Sequence, residues 1–344
     1  MPACISPIRL GDGSLVPCGR CIACRINRRN DWAFRTITEW ESSRGQSYFI
    51  TLTYNDDHLP YGIFKLKDLE TSEWFGKLRP WEKEKIRRDF DEHPCPAVVK
   101  PVAWSKDLQL FLKRLRKALG IPGLRYLACS EYGPKTLRPH FHIALFNSDL
   151  DKRGFKRLRD LNEFISRIWG KGFTLTKPFK GCHAGYLGKY FSKPSFLPRL
   201  LTMPWCKPRL FASKGFGAQL LTSEFKRWVR QGVIQSFQKY RKYDRCSDGL
   251  PPFFDLHLSF KGSDGFNKCV PKYLQDKLFV CKSSTKKAVT EMKLLNAERL
   301  AKQAWDALVE FCHGDVPSAF SLREERIIFW RKRQEEKMYK NHVL

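Results

Sequence analysis

The chain has 344 residues, 42% of them hydrophobic and 14% aromatic, and a formal net charge of +28. That composition belongs to a folded protein able to bury a substantial core in one or two domains, and it excludes a disordered chain. No apolar run is long enough to cross a bilayer and the N-terminus lacks the apolar stretch of a secretory signal, so a cytosolic protein without a membrane partner is expected. Lys and Arg recur along the whole length, with Phe, Tyr and Trp interleaved among them. A solvated basic surface or affinity for anionic membrane would explain the charge alone. The aromatics favour a nucleic-acid partner, because rings beside cations can stack on unpaired bases.

There are 12 cysteines. In a cytosolic chain disulfides are not expected, and eight scattered cysteines read as small buried hydrophobes. The other four, Cys4, Cys18, Cys21 and Cys24, gather in a Cys/Gly/Pro-rich N-terminal element. Four thiolates could close around Zn2+ as a tetrahedron and staple a segment that has no core of its own. The C-x2-C-x2-C run is tighter than paired zinc knuckles, so unligated thiols and an iron–sulfur cluster stay open beside structural zinc.

A helix is predicted from about Arg25 to Trp40, then a strand over Ser47 to Tyr54. In "YFITLT" Thr51 and Thr53 share one face, and such alternation mainly favours strand formation. Residues 61–104 read as an insertion with a short helix after Pro80 and a loop through "DEHPCPAVVKP". Ser105 is placed to cap the helix "KDLQLFLKRLRKALG", which stops at Gly120. Its apolar stripe of Leu108, Phe111, Leu112 and Leu115 lies opposite a basic face, where Lys113, Arg114 and Arg116 are candidate DNA contacts. The strands "LRYLACSEYG" and "HFHIALF" follow, joined by a turn-rich loop that carries a further candidate contact, Arg138. Next come a helix over about 156–169, the strand "GKGFTLTKPF", and a short helix "CHAGYLGKYFSK" stopped by Pro194. This order points to an α+β domain with a mostly antiparallel sheet. Past residue 200, "LTMPWCKPRLFASKGFGAQ" reads as loop, "EFKRWVRQGVIQSFQKY" as helix, and residues 286–344 as two long helical patterns broken at "HGDVPSAF". The expected division is a Cys-rich element over 1–30, an α+β domain over 31–200, and a basic helical region over 201–344.

Two constellations carry chemistry. In "HFHIALF" a strand turns His140 and His142 to one face and Phe141, Ile143 and Leu145 to the other. If the two neighbouring strands pair antiparallel, Glu131 falls opposite His140. Two imidazoles and a carboxylate, with open positions for water and substrate oxygens, can hold Mg2+ or Mn2+. An isolated H-x-H would as readily be a pair of surface imidazoles. In "GYLGKYFSK" the helical period brings Tyr186, Lys189, Tyr190 and Lys193 within one arc. Two phenols and two ammoniums make a poor core stripe and a good face for nucleophilic attack on phosphorus. A phenol has a pKa near 10, so a neighbouring cation and Lys189 would have to favour the phenolate, while Lys193 could hold a phosphate oxygen.

"FITLT", "RPHFHIALF" and "YLGKYFSK", in that order, resemble the three motifs of HUH endonucleases, the rolling-circle replication initiators. "VPCGRCIACRINRRNDWAFR", "DLQLFLKRLRK", "SEYGPKTLRPHFH", "SKGFGAQLL" and "CVPKYLQDKL" are similar to replication initiation proteins of gokushovirus-type microviruses, over about Cys4 to Leu278. The resemblance implies a five-stranded antiparallel sheet with helices on its opposite face, in the HUH or RRM-like manner. It implies His140 and His142 as metal ligands, with Glu131 as third ligand by the hairpin argument; Asp56, His58 and His183 remain open for that place. One of Tyr186 and Tyr190 would attack the origin phosphodiester, leaving a 3′-OH and a 5′-phosphotyrosine, and the other would later cut and rejoin the displaced strand. Implied partners are viral single-stranded and replicative-form DNA and a host polymerase, in the cytoplasm of a bacterial host. With no GxxxxGK[ST] loop in the sequence, strand separation is expected from a host helicase. The sequence departs from the family in having Phe141 between its histidines and a long insertion over 61–104. Other classes that fit are a non-enzymatic single-strand binder and a plasmid relaxase.

Overall fold

The computed structural model describes residues 4, 6–11, 15–43, 46–91, 97–121, 123–146, 154–155, 157–189, 197–243, 251–261, 267–279 and 283–340. Along the chain run β1 (Ile8–Arg9), β2 (Leu15–Val16), α1 (Ile22–Glu41), β3 (Tyr48–Tyr54), β4 (Tyr61–Lys65), α2 (Leu66–Glu70) and α3 (Glu73–Gly76). Then come α4 (Pro80–Asp91), β5 (Ala97–Pro101), α5 (Ser105–Leu119), β6 (Arg125–Tyr132), β7 (Pro139–Phe146), α6 (Leu158–Trp169), β8 (Gly172–Pro178) and α7 (Gly181–Lys189). The remainder holds β9 (Leu210–Ala212), α8 (Ser223–Lys242), β10 (Ser259–Lys261), β11 (Asn267–Cys269), α9 (Lys272–Leu278), α10 (Ser283–Phe311) and α11 (Val316–Lys340). Two compact units result, one of Thr36–Gly217 and one of Met1–Arg35 with Ala218–Leu344.

The first unit is built on a five-stranded sheet in the order β8-β3-β7-β6-β9, antiparallel throughout. The expected α+β class with a five-stranded antiparallel sheet therefore holds. Strand alternation sends Ile50, Leu52 and Tyr54 from β3 and Phe141, Ile143 and Leu145 from β7 to one face. There they meet Leu108, Phe111, Leu112 and Leu115 of α5 and Leu161, Ile165 and Trp169 of α6 in one buried core. Each of these buried side chains contributes about 1.5–3 kcal/mol. Gly172 is required where β8 begins, because its φ is +140° and a Cβ there would sit 2.3 Å from the Asn55 nitrogen.

Three local expectations fail, one of them where β9 (Leu210–Ala212) lies in a segment read as loop. Ser105 is the first residue of α5, not its cap; Trp104 holds that place without a side-chain hydrogen bond. Asp107 supplies negative charge in the first turn instead. The segment "AVVKP", read as loop, is β5, because Val98 pairs with Phe64 of β4 and both enter a second core. That core unites Phe64, Phe75, Ile86, Phe90 and Val98 with Leu200, Leu201 and Cys206. Tyr132, at the end of β6, ties it to the sheet: its hydroxyl donates to the Cys206 carbonyl (2.6 Å) and accepts from the Ala103 N–H (2.9 Å). The insertion is thus packed against the strand that carries Glu131.

In the second unit, Phe254, Leu256, Val289, Met292 and Leu295 form a core joined by Val233, Phe237 and Tyr240 of α8. Arg35 is held between the rings of Trp32 and Tyr273, 3.9 and 4.0 Å from their centroids. The C-terminal region is helical, as expected. Among the described residues no helix is long and apolar enough to cross a membrane.

Candidate functional site

On the face turned away from α5 and α6, strand register arranges side chains in rows. One row runs Phe173, Thr53, His140, Glu131; the next runs Leu175, Thr51, His142, Cys129. Glu131 Oε2 lies 3.2 Å from His140 Nε2 and 3.3 Å from His142 Nε2. One donor atom from each of the three lies within 4.8 Å of the others.

The second nitrogen of each ring decides how it can bind. His140 Nδ1 is 3.2 Å from the Arg138 carbonyl, which only accepts; a neutral ring with its proton there would offer its Nε2 lone pair to a cation. His142 Nδ1 is 3.1 Å from Thr51 Oγ1, which can accept the same proton. With both protons on Nδ1, the two Nε2 lone pairs and the Glu131 carboxylate would be left to a cation; without one, Glu131 Oε2 accepts from an Nε2–H. Two imidazoles and one carboxylate fit a divalent cation that keeps further positions for water or phosphate oxygens.

Helix α7 brings a phenol to the same place. The Tyr186 hydroxyl is 3.5 Å from His142 Nε2, and its ring stands edge-on to His142 with centroids 5.4 Å apart. The helix is seated by aromatic packing: Phe179, just before it, contacts Trp40 and Phe146. His183 lies flat on Phe49, with 4.6 Å between centroids. His183 Nδ1 accepts the Lys180 N–H at 2.8 Å, which fixes the first turn of α7. Burial, with Lys177 and Lys180 nearby, holds its pKa below the usual histidine value. Of Lys189 only the backbone is described, and Tyr190 and Lys193 lie outside the described residues.

The other candidates are placed as follows. His58 bonds through Nδ1 to Asn55 Oδ1 at 2.8 Å, and Asp56 is ion-paired with Arg138. Neither these two nor His183 joins the group formed by Glu131, His140 and His142. Arg138 also donates to the Tyr54 carbonyl at 2.8 Å, pinning the β6–β7 loop to the end of β3. Lys113, Arg114 and Arg116 lie on α5, which covers the opposite face of the sheet from the histidines. Arg116 sits 5.3 Å over the Tyr126 ring. Sequence reasoning passed over Thr51 as a partner of His142, and Phe49 and His183 as the seat of α7. The only signal was position: Phe49 and Thr51 share their face of "FITLT".

The second cluster joins Cys4, Cys18, Cys21 and Cys24. The Cys4 and Cys21 sulfurs are 3.8 Å apart and those of Cys18 and Cys24 4.0 Å. Disulfide sulfurs would lie about 2 Å apart. A tetrahedron with Zn–S bonds of about 2.3 Å places its sulfurs about 3.8 Å apart, so the spacing fits that ion. The Cys18 sulfur accepts N–H groups from Cys21 (3.3 Å) and Arg20 (3.5 Å), and these bonds hold its pKa below the ordinary thiol value. Burial pushes Cys24 up to about 12, a penalty that a cation among the thiolates would offset.

Comparison with known proteins finds similarity to replication-associated proteins. Residues 100–195 match the family model of the replication-associated protein ORF2/G2P, a span that holds Glu131, His140, His142 and Tyr186. The chain is 27% identical over 263 residues to the replication-associated protein ORF2 of Spiroplasma virus 4, covering 73% of this chain and 70% of that one. It is 28% identical over 193 residues to the replication-associated protein VP4 of Bdellovibrio phage phiMH2K, covering 52% of this chain and 48% of that one. The expected resemblance to viral replication proteins is borne out.

Proposed function

We propose that this protein starts rolling-circle replication of a small single-stranded DNA virus by nicking origin DNA through tyrosine attack on phosphorus. The observation that carries this is the Tyr186 hydroxyl 3.5 Å from His142 Nε2, at the edge of the Glu131, His140 and His142 group. Those three residues would hold Mg2+ or Mn2+, which polarises phosphoryl oxygens and stabilises a phenolate beside it. Tyr186 Oη forms the bond to phosphorus and gives up its proton to solvent water. The bond from phosphorus to the 3′ oxygen breaks, and that oxygen takes a proton from water to become the primer 3′-OH. Lys189 would favour the phenolate and Lys193 would hold a phosphate oxygen. Tyr190 would provide the second nucleophile, which cuts and rejoins the displaced strand while phosphotyrosine conserves the bond energy. Arg138, with Lys113, Arg114 and Arg116, would supply sequence-independent contacts to DNA phosphates. The four cysteines would hold structural zinc. A host helicase and polymerase would complete replication in the bacterial cytoplasm.

Incubation with single-stranded origin DNA and Mn2+ should give a covalent protein–DNA adduct on a denaturing gel. The adduct should vanish in the Tyr186→Phe, Tyr190→Phe double variant and on chelation. Tight binding with no adduct under any cation would leave the chain a single-strand binder and overturn the proposal.

A further inference from the structure

The edge strand β8 has two unlike faces. Inward, Thr176 is buried and Thr174 bonds Asn162 of α6. Outward, Phe173 is 69% exposed and Leu175 51%, and Lys177 is exposed as well. Register sets these three on the histidine face: Phe173 opposite Thr53, Leu175 opposite Thr51 and Lys177 opposite Phe49. Because Thr53 in turn faces His140 and Thr51 faces His142, Phe173 stands two strands from His140 in the same row. Two strand spacings of about 4.8 Å give a separation of about 10 Å.

An exposed Phe–Leu pair on a sheet edge is a pairing and aggregation hazard that proteins blunt unless the surface is used. Here it continues the candidate catalytic face, and the nearest charge on its own strand is the cation of Lys177. A flat ring, an aliphatic neighbour and an ammonium suit a nucleotide whose base stacks and whose phosphate is anionic. A chain of net charge +28 favours such a polyanion over a second basic copy of itself.

We infer that Phe173, supported by Leu175 and Lys177, is a stacking platform for an unpaired base of the DNA strand near the scissile phosphate. This rests on the nicking proposal and adds to it the place where the strand lies: across the sheet from the Glu131–His140 end toward β8. A base anchored there fixes the strand's path over the cation site, and with it which linkage reaches Tyr186.

The test uses full-length protein and two probes without sequence information, a fluorescent 20-nucleotide oligothymidylate and a wholly abasic 20-mer of the same backbone. Phe173→Ala should weaken oligothymidylate binding about 5- to 150-fold, the range for losing one stacked base, while Phe173→Trp retains it. On the abasic strand all three proteins should bind alike. Equal binding of oligothymidylate by wild type and Phe173→Ala would overturn the inference, as would an equal loss on the abasic strand. So would a dimer of the DNA-free protein that dissociates in Phe173→Ala, since the face would then belong to a second copy. These binding measurements need no cleavage, so the platform and the nicking reaction can fail separately.

Discussion

The two clusters that could hold a metal ion are built in opposite ways. In the cysteine cluster three of the four sulfurs come from the short run Cys18–Cys24, and backbone N–H groups of that run bond the sulfurs. Four soft thiolates fill a tetrahedral shell and leave nothing for a substrate. The sheet cluster takes Glu131 from β6 and both histidines from β7, and a third strand, β3, supplies Thr51 behind His142. One carboxylate and two imidazoles would leave coordination open, and the Tyr186 hydroxyl stands 3.5 Å from His142 Nε2. A closed set of ligands suits a staple and an open set suits chemistry, so damage to the two should have different consequences.

The largest effect should come from the cysteines. Structural zinc contributes on the order of 10 kcal/mol to the fold it organises. Cys24→Ser should therefore lose one equivalent of zinc by elemental analysis and unfold at a markedly lower temperature. If this variant keeps its zinc and its unfolding midpoint, the cysteine cluster is not a zinc staple. His142→Ala should do the reverse. Loss of the cation's several kcal/mol of transition-state stabilisation slows adduct formation about 1,000-fold, while zinc content stays unchanged. A His142→Ala protein that nicks at the wild-type rate would separate the sheet cluster from the reaction.

Much of this contrast could be read from the sequence, and the reason is distance along the chain. The cysteine run is local, and Glu131 reaches His140 across a single hairpin, so spacing and strand period were enough to bring these side chains together. The fifth strand, β9, was not legible: Leu210–Ala212 is too short to show a period and is strand only because it pairs with β6. The support of His142 by Thr51 escaped because Thr favours strands whatever it faces. Only the β3–β7 register tells which ring it meets. The side of the sheet on which Lys113, Arg114 and Arg116 stand was not legible either, because charge does not encode which face a helix covers. The cap at Ser105 failed because capping propensity does not know where the preceding chain enters.

Thr51 gives a sharper cut within the sheet cluster. Thr51→Val keeps shape and strand propensity and removes the oxygen 3.1 Å from His142 Nδ1. Outer partners of metal-bound histidines are typically worth 10- to 100-fold in affinity, so Mn2+ binding measured by titration should weaken by about that factor. Thr53→Val, one row away beside His140, should change it much less, because His140 Nδ1 is held by the Arg138 carbonyl. Equal losses in the two variants would mean that the row as a whole, and not the Thr51 hydroxyl, supports the cation.

The smallest expected effect concerns pH and the seat of α7. His183 is folded as a neutral ring: burial and the lysines at 177 and 180 depress its pKa below the ordinary value of 6.5. The folded protein therefore takes up a proton less readily than the unfolded chain. The stabilisation is complete above about pH 6.5 and is lost as pH falls below that value toward the depressed pKa. Protonation also removes the acceptor for the Lys180 N–H, so α7 loosens and Tyr186 with it. Thermal unfolding followed from pH 7.5 to 5.5 should show a steeper loss of stability in wild type than in His183→Gln, whose side chain accepts a hydrogen bond without titrating. Parallel slopes would show that His183 packs on Phe49 without its protonation bearing on the helix.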